Sequence, residues 1–518
     1  MLDIANHNRF QRHAAAENRY AVLLYDLVLP MLLFGSMGAI TWAIRGTSGW
    51  GGIDGTLVPG LLWGLLWYYL CWRKGIDARG IVLWLGLGLA LGGELGYGQY
   101  VSWIRGSFET GEGPVPISPA TGYLWFAVCG VGWAAPGGIL LGWALHSHVS
   151  GGTWVARALL FLVLLVFLFD VPLPGLGAGA VSGTGAWLAR TVPGLLFPLA
   201  DSGLYDGELQ GHIGRTVYTN TQNAAVVVWW LFALLLALLQ RDRATLVCGS
   251  VLGIGFGVGF ALSAVWCLGY SIAPRYIDWW KMWELHAGFN LGLVYAWLWF
   301  WTVKRFRSAI TSNPRPPAPS PGAVREGGIT LFLAVAGMVL ILAASIEYFP
   351  ATGVFLAAFY SLSLILGTGL GCRRDGIAHA PELRRQVTFI YGAFLLVFML
   401  LHGGASRTGV FLELYTPDGV DQYAWPAARI ALFLPPAVLL VLVTCYYLVR
   451  ARSVSKASET RETFLPSRLV DLFAFTGIIG AVSIWPSEIG VLYALFLFLA
   501  LFAFTRLNRH FDRMDAEQ

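Results

Sequence analysis

Apolar runs the length of a membrane-crossing helix, separated by short connectors rich in Arg and Lys, recur along almost the whole chain. A helix needs about 20 predominantly apolar residues to cross a hydrocarbon core of roughly 30 Å. By that measure the pattern predicts fourteen spans, at 20–44, 56–72, 81–100, 122–145, 155–171, 223–240, 245–268, 281–303, 328–346, 353–372, 387–402, 429–449, 469–484 and 489–505. Residues 1–19 are polar and lack the apolar stretch and small-residue cleavage site of a signal peptide, so the first helix reads as an uncleaved span.

Charge supplies the orientation. With the N-terminus inside, 26 of the 34 Lys and Arg residues fall in the even-numbered connections and the two tails. The other eight are Arg45, Arg105, Arg190, Arg215, Arg275, Lys281, Arg407 and Arg429. Such a split follows the positive-inside bias and puts both termini in the cytoplasm. One missed or invented span would invert every connection after it, so count and orientation support each other.

The predicted fold is therefore an all-α polytopic membrane protein of about fourteen transmembrane helices. Pro314, Pro316, Pro317, Pro319 and Pro321 mark 308–327 as a semi-rigid cytoplasmic linker between an eight-helix half (1–307) and a six-helix half (328–506). Residues 507–518 form a cytoplasmic tail. The longest outer segment, 172–222, is Gly-rich and then polar.

Composition agrees. The chain is 57% hydrophobic and 12% charged, against about 25% charged in soluble domains. That excludes a soluble enzyme, a nucleic-acid binder and a disordered protein, and a multi-pass place in the cell (inner) membrane is expected. The net charge of +5 reflects topology and not a polyanion-binding surface. The six cysteines lie in or beside apolar runs without a Cys-x-x-Cys pair and read as packing residues. His146 and His148 have no acidic or Cys partner nearby in sequence, so neither a metal nor another cofactor is expected.

Three hairpins in the first eight spans look related. One carries Trp42-Ala43-Ile44-Arg45-Gly46, then Pro59-Gly60 and Gly64. The second carries Trp103-Ile104-Arg105-Gly106, then Pro136-Gly137-Gly138 and Gly142. The third is looser, with Trp266, Arg275, Gly288 and Gly292. All three run from inside to outside and back, so they are expected as parallel repeats around an axis along the membrane normal. Glycines four apart let helix backbones approach closely in lipid. The Gly-x-Gly runs are not nucleotide-binding fingerprints, since no strand precedes them.

Each hairpin sets an arginine (Arg45, Arg105 or Arg275) at the outer end of a span, where the charge bias disfavours it. Asp54, Glu94, Asp170, Asp278 and Glu284 lie at similar depth. Glu94, in the third span, is costly in lipid unless it faces a bundle interior or a wet cavity. Lys281 and Glu284 are three apart and can pair along a helix face, with His286 one turn on. The substrate-binding candidates are thus Arg45, Arg105, Arg275, Glu94, Glu284, Lys281, His286 and Asp54. The plainer alternative is that the arginines only pair with these acids and clamp loops. Trp50, Trp103, Trp279, Trp280 and Trp283 could stack on a sugar, but fit an interfacial aromatic belt better.

These residues favour a permease for a polar or anionic small solute, because guanidinium groups bind carboxylate, phosphate or sulfate bidentately. Glu94 or Glu284 would exchange a proton. The alternative is a membrane-embedded transferase that holds the diphosphate of a lipid-linked sugar or acyl donor at the outer leaflet, with 172–222 as a lid. A non-catalytic subunit is the third option. No Gly-x-Ser-x-Gly or His-Glu-x-x-His motif is present, so a non-enzymatic role is favoured. The expected partners are the bilayer, the solute and, through the glycine faces, further copies of the chain.

Overall fold

A computed structural model describes residues 20–47, individual positions between 56 and 74, 81–93, 95, 100–110, 113–146, 149–169, 212–273, 277, 279–312 and 487–516. Five of the predicted spans, from 328–346 to 469–484, lie outside these residues. Helix dominates. A π-helical turn (Leu24–Val28) leads into α1 (Leu29–Thr47). Helical positions within 56–73 follow, then α2 (Ile81–Gly93), α3 (Tyr100–Trp103), α4 (Pro119–Leu145) and α5 (Gly151–Phe169). Next come α6 (His212–Leu239), α7 (Arg243–Ser263), a 3-10 turn (Ala264–Leu268), α8 (Gly269–Ile272), α9 (Trp279–Ser312) and α10 (Ser487–Ala516). Among the described residues, five segments are long and apolar enough to cross a membrane: Tyr20–Trp42, Pro119–Leu145, Gln222–Leu239, Arg243–Ile272 and Ala494–Phe511. The chain is thus a helical, membrane-embedded protein.

Four boundaries differ from the pattern, one of them at the end of α10, which continues to Ala516 past the predicted 505. The third predicted span does not run unbroken, because α2 ends at Gly93 and Leu95 is non-helical; the next described helix is α3 at Tyr100. α6 starts at His212, so the polar end of the expected outer segment is helical. α9 continues to Ser312, into the proline-rich stretch. An antiparallel hairpin of β1 (Ser107–Thr110) and β2 (Gly113–Pro116) also interrupts the helices, pairing Phe108 with Val115. Only Gly111 and Glu112 separate the strands, and Gly113 has φ +120°, which a side chain at that position would strain.

Glycines dictate how the helices meet. A methyl group on Gly38 would collide with the Gly288 carbonyl, and one on Gly292 with that of Phe34, so α1 and α9 cross antiparallel, backbone on backbone. Gly130 faces Gly257 and Gly138 faces Gly249 at the crossing of α4 and α7. Gly60 rests on Gly86 of α2, and Gly88 of α2 on Gly137 of α4. Trp63 Nε1 donates to Thr41 Oγ1 (3.3 Å), and Asn290 Nδ2 to the Gly259 carbonyl (2.8 Å). These contacts close a circuit: α1, the 56–73 helix, α2, α4, α7, α9 and back to α1. In this circuit, a glycine of each hairpin's second helix packs against the first helix of the next hairpin.

Aromatic rings fill the inside of the circuit. Trp42 of α1 meets Trp133 of α4 at 4.3 Å and Phe256 of α7 at 5.5 Å between ring centres. Nearer the other end, Tyr295 of α9 stands edge-on to Trp63 (5.5 Å) and Trp67 (6.4 Å). Trp103 and Trp283, expected in an interfacial belt, are fully buried in this aromatic core. The reason is complementary size: stacking glycine faces brings the backbones close and leaves gaps that only large rings fill. Cys71, Cys129, Cys248 and Cys267 are buried.

The α5–α6 hairpin packs outside the circuit. Gln222 Nε2 donates to the Leu168 carbonyl (2.8 Å) and Trp229 Nε1 to that of Leu160 (2.7 Å). Trp230 Nε1 donates to the Gly249 carbonyl (3.0 Å) and ties α6 to α7. α10 lies along α1, with Tyr25 stacked on His510 at 3.7 Å.

Overpacking a close crossing costs about 1–3 kcal/mol, so Gly288→Val is expected to lower the melting temperature in detergent sharply. Gly151→Ala, where a methyl group meets nothing within 4 Å, should stay within about 0.5 kcal/mol of wild type. Thermal unfolding of the two purified variants checks this.

Candidate functional site

Four of the candidate residues converge at the end of the bundle where α9 begins. Lys281 and Glu284 form the ion pair that their three-residue spacing predicts, on side chains only 2% and 1% exposed. Trp280 Nε1 donates to Glu284 Oε1 (2.9 Å). Trp283 packs these groups against Phe126 (5.7 Å) and Phe260 (5.5 Å). A charge this deeply buried needs both a counter-ion and hydrogen bonds to offset its lost hydration. Glu284 has both, and it sits in the first turns of α9, where the helix dipole favours an anion.

His286 lies two residues after Glu284. Trp266 Nε1 donates to His286 Nδ1 (3.0 Å), and Trp266 stacks on Trp279 (6.2 Å). Because Nδ1 accepts, the proton of the neutral ring sits on Nε2. The Trp279 ring sits directly against Gly269, and its Nε1 donates to the Ala273 carbonyl (2.9 Å). The 3-10 turn and α8 are therefore held against the start of α9.

Arg105 reaches the same end from the second hairpin. Its guanidinium lies 5.7 Å from the centre of the Tyr270 ring, is exposed, and has no carboxylate partner among the described residues. Cys267 lies within electrostatic range of both Arg105 and Glu284, so the cation of one hairpin and the acid of the next share one neighbourhood. Asp54, Glu94 and Arg275 lie outside the described residues, as do Asp170, Asp278 and Trp50, and Arg45 is described only as part of α1.

The interruption after α2 opens beside this cluster. Leu95 sits at the level of Gly132, next to the buried side chains of Asn223 and Tyr100, and Asn223 Nδ2 donates to the Tyr100 hydroxyl (3.5 Å). Tyr100 stacks on Trp125 and meets Phe126, which in turn meets Trp283. Backbone that leaves the helix at membrane depth must be buried in protein or line a polar cavity. Asn223 and Tyr100 escaped the sequence reading. Asn223 is the first residue of the predicted span 223–240 and Tyr100 the last of 81–100, and neither was singled out as a site residue.

A second buried cluster lies at the opposite end. Arg157, 0% exposed, donates from Nη2 to Asp242 Oδ2 (2.8 Å) and from Nη1 to the His146 carbonyl (3.0 Å). His146 Nδ1 is 2.9 Å from Asp242 Oδ1. Asp242 also caps α7 by accepting from the Thr245 amide (3.1 Å) and hydroxyl. Arg157 is sandwiched by Trp154 (5.0 Å) and Trp143 (5.6 Å). His146 does have an acidic partner, contrary to the sequence reading, because folding brings Asp242 across 96 positions of chain. No group of three or more His, Cys, Asp or Glu able to hold a metal occurs among the described residues. At the same end Lys74 pairs with the buried Asp26 (2.7 Å).

Arg157→Leu leaves Asp242 buried without its cation and is expected to cost about 3–5 kcal/mol. Pairing it with Asp242→Leu should recover much of that loss, since apolar replacement of a whole buried pair is often neutral. Thermal unfolding of the single and double variants provides the measurement.

The chain matches no protein-family model, no curated protein and no solved structure.

Proposed function

We propose that the chain is a multi-pass permease for a polar or anionic small solute, bound where the second and third hairpins meet at the outer end. The observation that carries the reading is the exposed guanidinium of Arg105, against Tyr270 and without a carboxylate partner among the described residues, at the same end of the bundle as the buried Lys281–Glu284 pair. A solute carboxylate or phosphate would give Arg105 the bidentate partner it lacks. Glu284 would be the proton carrier. An anion drawing Lys281 away leaves its carboxylate without a counter-ion in a low-dielectric site, which favours proton uptake.

The interrupted third span supports this reading, because broken helices beside buried polar groups are where carriers bind solute. So does the circuit of glycine crossings, whose smooth faces permit helices to slide. In this proposal the protein has fourteen spans in an inner membrane with both termini in the cytoplasm, and the three hairpins are parallel repeats. The aromatic fill around Trp42, Trp133 and Tyr295 then closes the path toward the basic end.

That same fill favours one second reading. A polar cluster that opens only outward suits a transferase acting on a lipid-linked sugar or acyl donor, with Arg105 holding the diphosphate.

Uptake into proteoliposomes separates the two, using a panel of organic anions with and without a pH gradient. The permease reading expects at least one anion to accumulate. Arg105→Ala should cut its uptake about tenfold or more, the usual scale for losing a charge-assisted hydrogen bond. Glu284→Gln should abolish the response to the pH gradient. If no anion moves and both variants match wild type, the proposal fails.

A further inference from the structure

α10 presents one outward face that changes character along its length. Val491, Leu495, Phe498 and Phe502 are exposed, Val491 at 67% and Phe498 at 65%. Arg506, Arg509 and Arg513 follow, also exposed. At 3.6 residues per turn all seven fall within an arc of roughly 80°. Phe498 stacks on Phe502 (6.3 Å), and the Arg506 guanidinium lies over the Phe502 ring (5.6 Å), so the apolar and cationic parts form one continuous strip.

Its dimensions are those of one lipid leaflet. At 1.5 Å per residue the apolar part spans about 16 Å, close to half of a ~30 Å hydrocarbon core. The 30-residue helix is about 45 Å long and so extends past that core at its Arg-bearing end. None of the three guanidiniums has a carboxylate partner among the described residues. The opposite face of α10 is occupied, with Phe504, Leu507 and Phe511 buried and Phe511 covered by Arg73 (5.2 Å) and Lys74 (5.4 Å).

We infer that this strip of α10 binds an anionic phospholipid. The phosphate sits among Arg506, Arg509 and Arg513, and one acyl chain lies along Phe502, Phe498, Leu495 and Val491. Charge complementarity selects the headgroup, because three exposed guanidiniums with no carboxylate partner among the described residues favour a net-negative lipid over a zwitterionic one. The match between apolar length and leaflet thickness selects a lipid over a soluble phosphate.

Native mass spectrometry of the full-length protein in detergent tests this, with phosphatidylglycerol, phosphatidylcholine and inorganic phosphate as probes. Phosphatidylglycerol should be retained in preference to phosphatidylcholine. Changing Arg506, Arg509 and Arg513 together to Gln should cut that retention about tenfold or more, while changing all three to Lys should largely preserve it. Equal retention of the two lipids, or retention unchanged in the Gln variant, overturns the inference. So does displacement of the lipid by millimolar inorganic phosphate, which would mark a free-anion site. Should the Gln variant fail to fold, a salt titration of wild type decides: phosphatidylglycerol retention must fall with added NaCl while that of phosphatidylcholine does not, and salt-independent retention overturns the inference.

Discussion

Close contact between glycine backbones is the constraint on which the rest of this structure depends. In lipid, helices gain nothing by hiding apolar surface from one another, because the acyl chains are equally apolar. Association must come from dispersion, which falls off steeply with distance. Gly38 on Gly288, Gly88 on Gly137 and Gly138 on Gly249 bring the main chains into direct contact at successive crossings. Those approaches leave spaces that tryptophan and phenylalanine fill, as where Gly92 accepts Trp133 and Gly253 accepts Trp230. The abundance of both glycine and tryptophan is one packing solution seen from its two sides.

A bundle held in this way can carry few charges, and those it buries are organised at its ends. At one end Lys281, Glu284, His286 and Arg105 gather where α3, the 3-10 turn and α9 meet. At the other, Arg157 and Asp242 join α4, α5 and α7, and Asp26 and Lys74 join the start of α1 to the end of the 56–73 helix. The two ends differ in kind. Arg157 is enclosed by carboxylate, carbonyl and two indole rings, the arrangement of a structural clamp. Arg105 lies against the Tyr270 ring, is exposed, and has no carboxylate partner among the described residues.

Much of this was legible in the sequence, and the misses have physical causes. Hydropathy located the described spans to within a few residues at most ends, because about 20 apolar residues in a row have few alternatives to a membrane helix. The spacing of Lys281 and Glu284 already implied their pairing. The break after Gly93 was hidden because its one charge, Glu94, reads equally well as a single buried acid inside a continuous span. The hairpin at 107–116 was hidden because so short a pair of strands has no periodicity to read. Trp103 and Trp283 were misplaced because an indole ring suits an interface and a core equally well by composition.

By itself the sequence determined that the chain is a helical membrane protein, roughly where most of its described helices lie, and that glycines four apart make close crossings possible. These are local properties, set by the hydrophobicity of a single segment and the absence of a side chain at a single position. Only the tertiary structure decided which glycine faces which, that six helices close on themselves around an aromatic core, and that Asp242 meets Arg157 and Arg105 approaches α9. Those pairings join residues far apart in the chain, and they follow from helices settling together on shape, which no single segment encodes.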